Sequence, residues 1–218
     1  MAGGKIKMNN DYHKVRISFD KRRKVLWSTL VNYYFSKFID PNAAVLELGA
    51  GYCDFINNVK AKKKIAIDQW NDLNKYADSD VECIVGDIAD LEKIEDESID
   101  FVFASNIFEH VSQEKLSKCL NKLKKKMNDN GLLVILQPNF KFSYKDYFDD
   151  YTHVSIWSDV SLSDFLKTNG FFIKKSYPRF LPLSLKSRFP VHPILIRGYL
   201  KSPFKPLAKQ MLIIAKKN

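Results

Sequence analysis

Hydrophobic and polar positions along this chain switch between two periods. Over residues 20–39, Val25, Leu26, Leu30, Val31, Tyr34, Phe35 and Phe38 recur at helical spacing behind the basic run Arg22, Arg23 and Lys24, predicting an amphipathic helix in front of a sheet. Pro41 and Asn42 interrupt it, and residues 43–48 form a short apolar run that stops at Gly49-Ala50-Gly51, the pattern of a buried strand feeding a glycine loop. A short helix is expected over 55–59. Apolar runs at 64–68, 81–85 and 99–104 read as the second, third and fourth strands, the second closing on Asp68 and the third on Gly86-Asp87. A helix over 116–127 and the turn Asp129-Asn130-Gly131 lead to a fifth strand at 132–136. Strands that alternate with helices in this way imply βαβ units and a parallel sheet.

Beyond residue 136 the pattern loosens. Residues 137–158 are aromatic and acidic without periodicity, as a loop over strand ends would be. Residues 162–167 are helical and stop at Asn169-Gly170, a C-cap signal, before a strand at 171–176. Prolines 178, 182, 190, 193, 203 and 206 then mark a loop-rich insertion with one short helix near 194–200, followed by a last strand at 210–215. The expected organisation is a single domain, 1–218: an N-terminal helical cap (1–40), a ligand-binding core (41–176), a substrate-side insertion (177–206) and the last strand (207–218).

Composition narrows the setting. The 218 residues are 45% hydrophobic and 28% charged, which separates the chain from disordered sequences. Cys53, Cys83 and Cys119 lie far apart with no CxxC spacing, which points to a reducing cytoplasm rather than a disulfide framework. No secretory leader or continuous apolar run of about 18 residues is visible, so the expected location is cytoplasmic, with shallow attachment to the inner face of the membrane as the further option. Basic residues exceed acidic ones by 35 to 25, a net charge of +10 that suits an anionic partner, although the lysines of 115–126 read as a solvated helix face.

The candidate chemistry sits at the strand ends. Glu47-Leu48-Gly49-Ala50-Gly51 lies where a first strand turns, the place where an open α/β sheet binds a nucleotide-like ligand. Asp68, about twenty residues on, is placed to accept bonds from ribose hydroxyls, and Asp87 at the third strand end from an adenine amino group. With Ser105-Asn106-Ile107-Phe108-Glu109-His110 after the fourth strand, these motifs resemble the class I S-adenosylmethionine-dependent methyltransferases, specifically small bacterial members with a type 11 or 12 core, over residues 43–177. The resemblance implies an α/β Rossmann-like class I methyltransferase sheet, mostly parallel with an antiparallel last strand, and S-adenosyl-L-methionine as cofactor. It assigns Glu47 to the methionine end, Asp68 to the ribose, Asp87 to the adenine, and Ser105 and Asn106 to the wall beside the sulfonium. Ala50, Gln69 and Ile88 complete the cofactor-binding set. Cys53 departs from the pattern, since many relatives carry a third glycine there, and it fits if its side chain points at the helix rather than at the ligand.

Methyl transfer to a hydroxyl requires removal of a proton, a task suited to histidine. In this fold the loop after the fifth strand faces the acceptor, which makes His153 the candidate base and Asp150 its orienting partner. His110, in the N-x-x-E-H segment, ranks second, and His13 and His192 lie away from the core. Phe140, Tyr144, Tyr147, Phe148 and Tyr151 offer an aromatic lid or a stacking surface for sugar rings. Asp146, Asp149 and Asp150 invite a magnesium site, but metal-dependent relatives take a ligand from the fourth strand end, where Ser105 and Asn106 stand, so no metal is expected. The C-terminal insertion resembles that of methyltransferases in bacterial surface-polysaccharide and glycolipid pathways. It implies O-methylation of a sugar or glycan hydroxyl, with Arg179, Lys186, Arg188, Arg197 and Lys201 available to an acceptor phosphate. Two rivals stand beside this reading. A nucleic-acid methyltransferase is supported by net charge alone, so nucleic acid is not the expected partner, and a catalytically inactive cofactor-binding subunit is favoured only by Cys53.

Overall fold

The computed structural model describes residues 20–182 and 191–218. His13, Lys186 and Arg188 lie outside the described residues. A seven-stranded sheet comprises β1 (Ala44–Leu48), β2 (Lys63–Asp68), β3 (Val81–Val85), β4 (Ile99–Ser105), β5 (Met127–Pro138), β6 (Phe171–Pro182) and β7 (Ala208–Lys217), in the order β3-β2-β1-β4-β5-β7-β6. Strands β1 to β5 pair in parallel, while β7 pairs antiparallel with both β5 and β6. The expected α/β architecture, a mostly parallel sheet whose last strand runs the other way, is what folds.

Helices α1 (Lys21–Tyr33), α2 (Gln113–Lys126), α3 (Phe140–Ser143), α4 (Asp159–Thr168) and α5 (Pro193–Lys201) accompany the sheet. Asp20 caps α1 by accepting from the Arg22 N–H at 2.8 Å, satisfying one of the open donors of the first turn. Strand β1 is central and buried on both sides, so its apolar run is continuous: Val45 joins one core layer, Leu46 and Leu48 the other. On the first face, Trp27, Leu30 and Val31 of α1 pack on Phe35, Phe55 and Phe103. The Phe55 and Phe103 rings stack at 3.9 Å, with Trp27 edge-on to Phe103 at 5.8 Å. On the second face, Leu116, Cys119, Leu120 and Leu123 of α2 and Leu162 and Leu166 of α4 cover the sheet.

Three elements differ from expectation. The helix expected over 55–59 is a single 3-10 turn, Ile56–Asn58. There the amides of Asn57 and Asn58 donate to the carbonyls of Tyr76 (2.7 Å) and Asp54 (2.8 Å), drawing on side chains that compete with helical bonding. The turn at 129–131 does not precede β5 but interrupts it: Ile99 pairs with Met127 and Phe101 with Leu132, so residues 128–131 bulge within the strand, and the Asn130 N–H donates to the Asn128 side chain at 2.9 Å. Finally, residues 177–182 are not part of a loop-rich insertion. They continue β6 through Pro178 and Pro182, which an edge strand tolerates because one of its sides needs no ladder donor. Among the described residues no helix is long and apolar enough to cross a membrane.

Candidate active site

Parallel strands deliver their carboxyl ends to one edge of the sheet, and the predicted ligand-binding residues of β1 to β4 gather there. After Leu48 the backbone turns at Gly49 (φ 70°) and Gly51 (φ 51°), conformations that favour glycine. The N–H groups of Gly49 and Ala50 donate to the Ile67 carbonyl at 2.8 and 3.1 Å, which pins the loop across the end of β2. A Cβ on Gly49 would lie 2.9 Å from the Ile107 side chain, so the segment after β4 packs directly on the glycine loop.

Asp68 holds this arrangement together. One carboxylate oxygen accepts from the Gly51 N–H and the other from the Trp70 N–H, both at 2.8 Å. Each oxygen keeps a second lone pair, so the carboxylate can still accept from a vicinal diol. Beside it Trp70 stacks on Tyr76 at 4.9 Å and Tyr52 meets both rings edge-on. The sequence reading passed over this aromatic wall. Its only signal was an aromatic residue two positions after the acidic strand end.

Glu47 is buried beneath the loop and accepts from the Ile56 N–H at 3.1 Å. Burial pushes its pKa well above the usual carboxylate range, and the charges of Asp54 and Asp68 push the same way, against the hydrogen bond and Arg23. Arg23 of α1 is itself paired with Asp54 at 2.7 Å. A carboxylate whose folded pKa is raised favours the folded state only while protonated, so stability falls as pH rises from the ordinary glutamate value through the raised one. Glu47→Gln keeps an acceptor for Ile56 and removes that loss. Its melting temperature is expected to exceed that of the unaltered protein by roughly 2–4 °C at pH 8, with the gap closing towards pH 4, as calorimetric melts would show.

Cys53 has φ 56°, the left-handed region that a glycine adopts freely, and its side chain is fully buried in the α1-side core. Its side chain thus packs in the core layer that α1 covers. Cys53→Val is expected to lower stability by about 1–2 kcal/mol because a β-branched side chain resists this backbone. Cys53→Gly is expected to stay near neutral, and chemical denaturation of the two variants would separate them.

Asp87 is more heavily engaged than expected. One oxygen accepts from the Ala89 N–H at 3.1 Å, while the other takes the Gln69 amide at 2.7 Å and an ion pair with Lys115. Ile88 buries its side chain against the α2 layer, leaving only its backbone to serve a ligand. Asn106 stands at φ 51°, donates to the Ser105 hydroxyl at 3.2 Å and accepts from Gln210 of β7 at 2.8 Å, so β7 helps to fix the β4 end.

The second group of predicted residues also converges. His110 and His153, which are 43 positions apart, bring their rings to 4.7 Å, and Tyr147 lies 4.5 Å from His153 on the buried side. Asp150 reaches His110 through Thr152: the Thr152 hydroxyl donates to Asp150 at 2.6 Å and lies 2.8 Å from His110 Nδ1. Glu109, beside them, is fully buried, and burial together with the Asp150 charge pushes its pKa up to about 8. Of the expected aromatic lid, Tyr147 is buried while Tyr144, Phe148 and Tyr151 are exposed. Asp146 is paired with Lys209. The Arg179 and Arg197 guanidinium groups lie over the Phe142 and Tyr33 rings at 4.6 and 5.5 Å.

The side chains at the glycine loop are mainly acceptors: Asp68 and Asp87 suit a ligand rich in hydroxyl and amino donors rather than phosphate. Residues 46–135 match the family described as methyltransferase domain. No curated protein sequence matches the chain significantly. Among solved structures, an S-adenosylmethionine-dependent methyltransferase from Archaeoglobus fulgidus is 22% identical, with 95% of this chain and 98% of that one covered and a TM-score of 0.67. One from Aquifex aeolicus is 16% identical, with 97% and 100% covered and a TM-score of 0.63. A chain from the complex of the Haloferax volcanii Trm112 methyltransferase activator with a methyltransferase is 14% identical, with 95% and 96% covered and a TM-score of 0.68. Residues 46–135 thus match a methyltransferase domain, and the chain has the fold of the class I S-adenosylmethionine-dependent methyltransferases, for which S-adenosylmethionine is the expected cofactor.

Proposed function

We propose that this protein methylates a hydroxyl of a sugar, glycan or glycolipid, with His153 accepting the hydroxyl proton. The observation that carries the reading is the His110–His153 pair, in which His110 follows β4 and His153 lies in the segment after β5, next to the glycine loop on which Ile107 packs. When bound, S-adenosylmethionine supplies a methyl carbon already activated by its sulfonium. The chain's share is therefore alignment, exclusion of water and proton removal.

In this reading Glu47 serves the methionine end, Asp68 the ribose, and Asp87 with Gln69 and the Ile88 backbone the adenine. Ser105 and Asn106 wall the reacting carbon. Asp150, acting through Thr152, orients the imidazole of His110, and His110 in turn packs on His153 and limits the directions that ring can take. The exposed rings of Tyr144, Phe148 and Tyr151 suit the apolar faces of a sugar. The basic residues of the C-terminal segment suit an acceptor that carries phosphate or sits at an acidic membrane face, and a single domain over 1–218 remains part of the proposal.

Calorimetric titration with S-adenosylmethionine and S-adenosylhomocysteine is the first test, with micromolar binding expected for both. Screening nucleotide sugars and glycolipids for methyl transfer follows. Binding of neither ligand would overturn the reading.

A further inference from the structure

Glu109 follows β4 by four residues, and its side chain is fully buried with neither carboxylate oxygen in a hydrogen bond. A buried carboxyl with no donor must either hold a proton or be compensated by a cation, so a cation that displaces the proton has a ready-made ligand here. One ligand atom from each of Glu109, His110 and His153 lies within 4.8 Å of the other two.

Backbone and side-chain bonds hold the three together. The Glu109 carbonyl accepts from the N–H groups of Val154 (2.9 Å) and Ser155 (3.1 Å), and the Ser155 hydroxyl donates to the Val111 carbonyl at 2.7 Å. Trp157 donates to the Phe108 carbonyl at 3.2 Å, and the Tyr147 hydroxyl to the Ser155 carbonyl at 2.6 Å. The tautomer of His110 follows from its neighbours. Because the Thr152 hydroxyl spends its proton on Asp150, its oxygen accepts from His110 Nδ1–H, which leaves the lone pair on Nε2. An imidazole fixed through its other nitrogen by a hydroxyl and a carboxylate is the arrangement that metal-ligating histidines use.

We propose that Glu109, His110 and His153 hold a divalent transition-metal ion. Two imidazoles and a carboxylate suit Zn2+, Mn2+, Fe2+ or Co2+ better than the oxygen-seeking Mg2+ or Ca2+. Bonds of about 2.0–2.2 Å place tetrahedral ligands roughly 3.4 Å apart, within reach of small side-chain adjustments. Three protein ligands leave coordination positions open, with Glu109 buried and both histidines part-buried. The existence of the site does not depend on the acceptor; its use in catalysis rests on the acceptor binding beside His153. With an ion present, His153 becomes a ligand and the acceptor hydroxyl coordinates, loses its proton to solvent and forms the oxygen–methyl bond. The carbon–sulfur bond breaks as it forms, and its electron pair stays on sulfur.

The test is titration of the chelator-treated full chain with Co2+, read by visible ligand-field absorption. Saturation at one equivalent with the intensity of a four- or five-coordinate site is expected, together with competition by Zn2+. Glu109→Gln, His110→Ala and His153→Ala should each weaken Co2+ binding by about 100-fold or more, and Thr152→Val by about 10-fold through loss of the bond that orients His110. His153→Gln, a change on a partly exposed loop, covers the case in which a buried variant fails to fold. S-adenosylhomocysteine binding is measured in parallel on every protein. Absence of saturable Co2+ absorption, or its persistence in the Glu109 and His153 variants, would overturn the metal site. Loss of S-adenosylhomocysteine binding by the unaltered chain would instead overturn the functional reading and leave the metal result standing.

Discussion

Asp68→Ala is expected to weaken S-adenosylmethionine binding by about 100-fold or more. A hydrogen bond to a charged group contributes about 1.5–3 kcal/mol, and a carboxylate serving both hydroxyls of a ribose provides two, of which removal leaves at least roughly 3 kcal/mol lost. The loss has a second source. Asp68 also accepts from Gly51 and Trp70, so its removal frees the glycine loop at the point where the ligand must meet it. Asp68→Asn separates the two contributions. Its one remaining oxygen can satisfy one backbone N–H, and an intermediate loss of about 10-fold is expected. Calorimetric titration of both variants, with melting curves to verify folding, decides the matter. Affinity within about 3-fold of the unaltered protein would place the ribose elsewhere.

The second large effect is expected at His153. If its imidazole takes the proton of the acceptor hydroxyl, His153→Ala lowers turnover by about 10²–10⁴-fold while cofactor affinity stays unchanged. In the unaltered, chelator-treated protein the rate should fall on the acid side as the imidazole protonates, and the variant should lose that limb of the profile. A rate that instead follows added metal and vanishes with chelator assigns His153 to the ion described above. An unchanged turnover would exclude both roles.

The gathering of Glu47, Gly49, Asp68 and Asp87 at one sheet edge was legible in the sequence because its parts are local: a glycine loop after an apolar run, then an acid at each of two following strand ends. The histidine cluster was only half legible. His110 and His153 were both visible as candidates, but their meeting depends on the 150–155 loop bonding back to Glu109, a tertiary contact with no sequence period. Glu109 itself was readable only as part of a motif, since nothing in a Glu-His pair announces a fully buried, unbonded carboxylate. Asp150 was paired in the sequence with its neighbour His153, whereas Thr152 carries it to His110. In the fold, the strands with strict apolar runs were found nearly to the residue, and the errors fall where local rules have exceptions. A turn sequence became a bulge because β4 offered pairing on both sides of it, and two prolines stayed in a strand because that strand is at an edge.

The position of β7 has a consequence for how the molecule comes to be. It is the last strand in the sequence, yet it lies between β5 and β6 rather than at a border. During synthesis β6 is therefore made before the strand that joins it to the sheet exists, and the α4–β6 unit must wait, with Phe171 and Leu181 unburied, until residues 208–217 leave the ribosome. Closure of the sheet, the bond from Gln210 to Asn106 and the final shape of the β4 end should then arrive together, as one late event.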